Sequence, residues 1–589
     1  MGLTFIAAVG LAGCDGNGTD PEPLPGEATN LQVSVEENTA TATWSPGANV
    51  ESQRAELAGT TTGSVTLGAT ESSHVFSDLE FGGSYSVQVV SVNPEGETRS
   101  NSIAFSIQDP DDPFVRVTND VLSDQTWTSD KVYILEGVIF VGRDVGRGGD
   151  DPNGTPVTLT IEPGTTIVGA KGVSARGSYL VVSRGSQLIA DAHNSDFGGS
   201  GQCERPAEED VIVFTSVEPR GQRARGDWGG LIINGRAPSN AGDEAEGEGD
   251  SGTYGGPDEM DGSGVLRGVR VEFAGDDVTA NDQLNGIAYQ GVGHGTTVCY
   301  VQVHHNVDDG TEPFGVGPTQ THMVMTGIGD DSFDGTDGYN GFLQFGIAQQ
   351  VGDDADNGFE FSSDGDETNV HPRSTAVVAN VTLVGAREGI APGNTVGPES
   401  DVGVLLREGS HFRLYNNIVT GFGSSGFDVE GALAAQNADN RMAGETDPNE
   451  ALSFENNILW NNAGRDGSDE NFRDASGDGY TQAENKQFFE QFNNLLADPQ
   501  LPASAFNLGS LDSPPDFTPA AMPGGYTAFD VSALNDGAGL IMPTDGRRLV
   551  ATDYAGAVAP GTALKDSWYF GWTVWSEDGS DSRPNHEGQ

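Results

Sequence analysis

Short runs of apolar, β-favouring residues alternate with glycine- and acid-rich turns along most of the chain, and three of them recur at a near-constant interval. Residues 298–303, 323–326 and 342–347 are such runs, closed by Asp308-Asp309-Gly310, Asp330-Asp331-Ser332 and the acid-rich residues 353–358. From Asp309 to Asp331 is 22 residues, and from Asp331 to Asp354 is 23. Short β-favouring runs between glycine, asparagine and aspartate predict strands joined by sharp turns. A fixed period in the twenties predicts a solenoid whose units bury their apolar edges only by stacking. The expected fold is all-β, a right-handed parallel β-helix with like positions stacked at about 4.8 Å, so that carboxylates at matching positions form ladders.

Residues 132–135, 138–141, 159–161, 166–168 and 179–182 predict the opening coils, and the glutamate- and glycine-rich residues 241–264 predict a loop carried on the outside. Asn380, Asn416-Asn417 and Asn456-Asn457 precede later runs at matching places, which predicts stacked amides that satisfy one another. Residues 483–496 are the one helical pattern, expected as a surface addition.

Before the solenoid the pattern is of sandwich type. Strands are expected at 31–33, 39–44 and 84–90, with Trp44 on the face of Ala40 and Ala42. Residues 79–89, with Tyr85, resemble the tyrosine-corner segment of fibronectin type III domains, and Trp44 matches their buried tryptophan. The resemblance implies a spacer or binding module and no chemistry. The expected organisation is 1–14 signal peptide, 15–26 tether, 27–108 sandwich, 109–114 linker, and 115–589 β-helix with loop insertions and a C-terminal cap.

Residues 1–14 end in Leu11-Ala12-Gly13-Cys14, which resembles the lipobox of bacterial lipoproteins, although no basic stretch precedes the apolar run. The resemblance implies acylation of Cys14 and attachment to a bacterial outer membrane or cell surface by lipid alone. Cys203 and Cys299 remain in an oxidising compartment, either as a disulfide or as two buried thiols.

The 84 glycines, 29 prolines and 35% hydrophobic content suit a turn-rich β protein. A net charge of −60 argues against nucleic acid as a partner, since phosphates need a basic footprint. It leaves a strongly hydrated surface or carboxylates that bind cations. For the second, Asp330, Asp331, Asp334 and Asp337 offer hard oxygen donors suited to calcium. An EF-hand is excluded, because Gly341 stands where that loop needs glutamate.

Residues 228–238, 269–275, 284–286, Asp308-Asp309-Gly310, 330–334 and 571–575 resemble uncharacterised bacterial surface lipoproteins with a pectin-lyase-like β-helix. The resemblance implies fold and location and leaves activity open. Pectin-lyase-like folds host polysaccharide lyases and glycoside hydrolases, for which Arg407 as base and Asp331 are the candidate catalytic pair. Gly293-His294-Gly295 matches a polygalacturonase signature only superficially, since its flanking elements are missing. His304, His305 and His322 cannot form one compact metal site if strand alternation sends neighbours to opposite faces. Trp228, Trp572 and Trp575 are candidates for sugar stacking or for core packing. The function expected is a surface-displayed binding or scaffolding module for a polysaccharide or another envelope protein, with the calcium-dependent polysaccharide-cleaving enzyme as the alternative.

Overall fold

The computed structural model describes residues 23–107, 109, 112–172, 177–193, 203–279, 282–351, 355–366, 370–387, 400–464, 471–473, 479–507, 509–537 and 540–583. Residues 1–22, with the lipobox, Cys14 and most of the expected tether, lie outside them, as do Asp353 and Asp354. The chain divides into two units, Met1–Pro113 and Phe114–Gln589.

The first unit is a seven-stranded sandwich: β1 (Thr29–Glu36), β2 (Thr39–Ser45), β3 (Ser52–Gly59), β4 (Gly63–Gly68), β5 (Ser73–Phe76), β6 (Ser84–Asn93) and β7 (Gly96–Ser106). One sheet has the order β1-β2-β5 and the other β4-β3-β6-β7, all antiparallel. This is the strand order of a fibronectin type III sandwich. Strand alternation turns Ala40, Ala42 and Trp44 inward, where they meet Val87 and Val89. Trp44 Nε1 donates to Gln53 Oε1 at 2.7 Å, and Tyr85 Oη accepts from the Glu80 N–H at 2.9 Å, which ties the corner to its strand.

The second unit is a parallel β-helix. Phe114–Val117 already pairs in parallel with Val132–Leu135, so the expected linker gives up residue 114 to the first coil. Each central coil holds one strand of a nine-stranded parallel sheet, a turn, and an eight-residue strand of a seventeen-stranded sheet. A residue at positive φ bends that long strand in its middle: Tyr300 (52°), His322 (58°), Phe345 (63°) and Asn380 (54°) stack in one column. Each strand buries alternate residues inside the coil, such as Phe333, Phe359, Val301 and Met323. Trp228 is buried in that core, and Trp572 and Trp575 are buried where the C-terminal segment meets the sheet, so all three tryptophans are packing residues.

The asparagine columns divide in two. Asn417 Nδ2 donates to Asn457 Oδ1 at 2.9 Å and Asn457 Nδ2 to Asn494 Oδ1 at 3.1 Å, a ladder of stacked amides. Their neighbours do not satisfy one another: Asn380, Asn416 and Asn456 donate outward to carbonyls of Tyr554, Phe529 and Thr527. Asn457→Ala should lower stability by about 2–3 kcal/mol in urea titration, because buried groups of both neighbours lose their partner.

Three expectations change. The helix Gln482–Gln491, capped by Thr481 and Glu484, buries Phe488 and Phe489 in the main core and is no surface addition. A second helix, Ala432–Met442, was hidden because its buried face is Ala434, Asn437 and Ala438, too small and polar to print an apolar period. The expected C-terminal cap is a strap: the segment after Leu495–Leu496 runs back along the long sheet. Arg547 Nη1 donates to the Val298 and Thr319 carbonyls, Gln302 Nε2 to the Val574 carbonyl, and Arg583 Nη1 to the Val211 carbonyl. Cys203 and Cys299, 96 residues apart, are joined in a disulfide beside this strap.

Candidate functional site

The acidic turns lie immediately before the strands of the nine-stranded sheet, and backbone bonds set their register. Gly310 N–H donates to the Asp331 carbonyl at 2.9 Å and Ser332 N–H to the Asn357 carbonyl at 3.0 Å. Side chains repeat the pattern one residue earlier. Asp331 N–H donates to Asp309 Oδ1 (3.0 Å), Asn357 N–H to Asp331 Oδ1 (2.7 Å), and Val402 N–H to Asn357 Oδ1 (3.2 Å).

The repeating unit is therefore residues 308–312, 330–334 and 356–360, read as an acid, then aspartate or asparagine, two spacers and an acid. The steps are 22 and 26 residues, and the partner of Asp331 is Asn357 where Asp354 was expected. In the strands, Thr311 pairs with Phe333 and Phe333 with Phe359, all facing the core, so the next residues Glu312, Asp334 and Glu360 stack outward.

Three columns result: Asp308, Asp330 and Asp356; Asp309, Asp331 and Asn357; Glu312, Asp334 and Glu360. Four overlapping groups each bring three carboxylate oxygens within 4.8 Å of one another: Asp308 with Asp309 and Asp330; Asp309 with Glu312 and Asp334; Asp330 with Asp331 and Asp356; Asp331 with Asp334 and Glu360. The preceding coil and the inserted loop add to one end, where Asn285 Nδ2, in the turn before Ile287, donates to Glu312 Oε2 (2.7 Å) and to Glu248 Oε2 (2.9 Å) of the loop. At the other end Arg407 Nη1 donates to Glu360 Oε1 (2.7 Å) and Nη2 to Glu408 Oε1 (2.6 Å).

Burial, reinforced by neighbouring acids, pushes the carboxyls of Asp309, Glu312, Asp331 and Asp334 well above the usual range. For the same reasons Asp356 is pushed up to about 6 and Glu360 to about 7, Arg407 offsetting part of the effect in each. Burial alone would lower the Arg407 guanidinium, but Glu360 and Glu408 outweigh it and hold it above its ordinary value. An array of this kind either shares protons or holds hard cations.

Of the residues singled out from sequence, Asp330, Asp331 and Asp334 come together and Arg407 borders them. Asp337 does not join them: the chain turns there at φ 55°, and its carboxylate accepts from Tyr254 Oη at 3.2 Å. His294 is buried, with burial pulling its imidazole down to about 4, and no part of it reaches the acids' groups. His304 bonds Thr326, His305 stacks on Phe273 and His322 stacks on Tyr300; against the expected alternation the chain turns at His305 (φ 56°), and the rings of His304 and His305 meet edge to face at 4.4 Å, in packing roles. Glu312, Asp356, Glu360, Asn285 and Glu248 were missed as site residues. Glu312 and Glu360 stand three residues after the second residue of a turn pair, as Asp334 does, whereas Asp356 opens the third turn.

Against known families, residues 119–487 match the pectate-lyase-like β-helix domain. The chain belongs to that family. None of the curated proteins matches it. Among solved structures it is similar to the third fibronectin III domain of human KIAA0343, at 20% identity over 17% of this chain and 98% of that one, with a TM-score of 0.14. It is likewise similar to the fn3 domain of human collagen alpha-1(XX), at 20% identity over 17% and 97%, TM-score 0.14. The FN5 domain of Drosophila Lar gives 15% identity over 14% and 98%, TM-score 0.13. Scores this low say nothing of what this β-helix protein does.

Proposed function

We propose that this β-helix protein is a binding module that holds a glycan against its acidic face, carried on a bacterial surface by a lipid on Cys14. The observation that supports binding over cleavage is the state of Arg407. Its guanidinium is engaged by Glu360 and Glu408 at once and is held above its ordinary value, the reverse of what a catalytic base needs. A sandwich followed by a long solenoid suits display, since both present surfaces at a distance from an anchor.

The cleaving enzyme has one observation in its favour. Glu360, pushed up to about 7, has the protonation balance of a general acid or base at neutral pH. Incubating the full chain with acidic and neutral polysaccharides, and measuring retention, reducing ends and absorbance of unsaturated products, separates the readings. Retention without product is expected. Product formation abolished by Arg407→Ala or Asp331→Ala would establish the enzyme instead, and an envelope protein retained in place of every glycan would replace the ligand class.

A further inference from the structure

We propose that the Cys203–Cys299 disulfide is a redox latch: closed, it holds residues 564–568 of the strap over Tyr300 and His322 of the long sheet, and opened by a dithiol it lets that stretch lift while the rest of the strap stays docked. Cys299 is fully buried on the strand Thr297–His304, and Cys203 lies half-buried in the segment that leads into the strand Ile212–Ser216. Among the described residues no backbone hydrogen bond ties residues 203–209 to the sheet, and Pro206 merely rests over Gly268. The disulfide is thus what fastens this segment to the sheet.

The same segment grips the strap, and the contacts close a ring. Arg205, just after Cys203, donates from Nη1 to the Ser567 carbonyl at 3.0 Å. The next residue, Trp568, sets its edge on His322 (ring centroids 5.1 Å apart) and on Tyr300 (6.3 Å), which follows Cys299 in the chain. Tyr300 and His322 are themselves stacked at 4.4 Å, and His322 Nδ1 is buried with no hydrogen-bond partner among the described residues. Burial under Trp568 and its neighbours pulls that imidazole down to about 3. Beneath the latch, then, lies a neutral histidine shut off from water.

The strap on either side is held by groups that cutting the disulfide leaves in place. Tyr569 Oη donates to the Pro515 carbonyl at 2.9 Å, Arg270 Nη1 to that of Trp572 at 2.8 Å and Gln302 Nε2 to that of Val574 at 2.7 Å. Earlier in the strap, Asn416 and Asn380 donate to the carbonyls of Phe529 and Tyr554. Release is therefore confined to the stretch whose backbone is gripped by Arg205. Opening is a thiol–disulfide exchange. A thiolate of the dithiol attacks Cys203 Sγ, the sulfur–sulfur bond breaks, and Cys299 leaves with the electron pair and takes up a proton. The second thiol then displaces Cys203, so the chain gains two electrons and two protons and the dithiol becomes a disulfide. In oxidising surroundings the latch stays closed, and in reducing ones open, so the stretch docks only after the chain has reached the former.

The latch does not depend on any ligand, and its test starts from the folded full chain. Dithiothreitol opens the bond, iodoacetamide traps the thiols for counting by mass, and after removal of both reagents diethylpyrocarbonate labels accessible histidines. Both thiols should be trapped, and His322 should react about tenfold faster or more than in the oxidised chain, while His304, under residue 576, stays protected. Reoxidation by a small disulfide before trapping should protect His322 again. Arg205→Ala, with the disulfide intact, should raise the reactivity of His322 part of the way. A disulfide that resists the reductant in the folded chain, an unchanged His322 with both thiols free or in Arg205→Ala, lasting reactivity after reoxidation, or equal labelling of His304 would each overturn the proposal.

Discussion

A chain ending at residue 497 should fail to fold to a soluble product, the largest effect expected of any change considered. Among the described residues from 498 to 583 there is no strand, only short turns such as Ala503–Phe506, Val531–Leu534 and Leu564–Asp566. The segment nonetheless buries Phe517, Tyr569, Trp572 and Trp575 completely, against Cys299, Val324, Ile347 and Val384 on the long sheet. At about 1.5–3 kcal/mol per large side chain, losing these four alone removes on the order of 10 kcal/mol, comparable with the whole stability of a domain. Deletion also strips acceptors from the side chains of Gln302, Gln344, Asn380 and Asn416, which now donate to strap carbonyls. Expression with solubility and dye-binding assays checks this. A monomeric product with an unchanged melting temperature would show the strap to be dispensable.

Asp331→Asn should have the second largest effect, and it should stabilise. In chelator at pH 8 the variant's β-helix transition should rise by several degrees. An amide oxygen can still accept the Asn357 N–H, as Asn357 does for Val402, while a buried charge facing Asp330, Asp334 and Glu360 disappears. The sign with pH follows from the raised carboxyls. A group whose folded pKa lies above its unfolded value stabilises fully below the unfolded value, about 4, and loses that stability as pH rises through the folded one. For Glu360 that upper limit is about 7, so the ion-free wild type should weaken from about pH 4 to pH 7, and Asp331, raised in the same direction by burial and by Glu360 and Asp330, adds a contribution of the same sign. The gain from Asp331→Asn should therefore shrink as pH is lowered. A variant less stable than wild type at pH 8 would mean that the aspartate's charge serves the scaffold.

Strands, sandwich and solenoid were legible because alternation and β-favouring runs are local signals, and the Asp309 to Asp331 step was read correctly because those coils differ in nothing but side chains. The next step differs from the expectation because it is 26 residues and not 22, and Asp353-Asp354 in the sequence between stand where a 23-residue step would put the pair, so Asp354 imitates the repeat. Glu312 and Glu360 passed unnoticed since an outward acid on a half-buried strand looks like any solvated alternate. Their chemistry comes from stacking, which only the register between coils reveals. Glu248 could not be assigned to the site from the chain alone, because an inserted loop brings it in; Asn285 stands two residues before Ile287, which pairs with Thr311, so it occupies the place of Asp309 one coil earlier and is recognised only from the register between coils. The strap has no period to detect, because it borrows its hydrogen bonds from side chains of the sheet it covers.

Carboxylates of three coils form one charged face, and the thermal melt of the full wild-type chain tests that most directly, with chelator and then with calcium at constant ionic strength and pH 8. Calcium should raise the β-helix transition by several degrees in the wild type and leave Asp334→Asn unmoved. Identical melts of the wild type in the two conditions would contradict it.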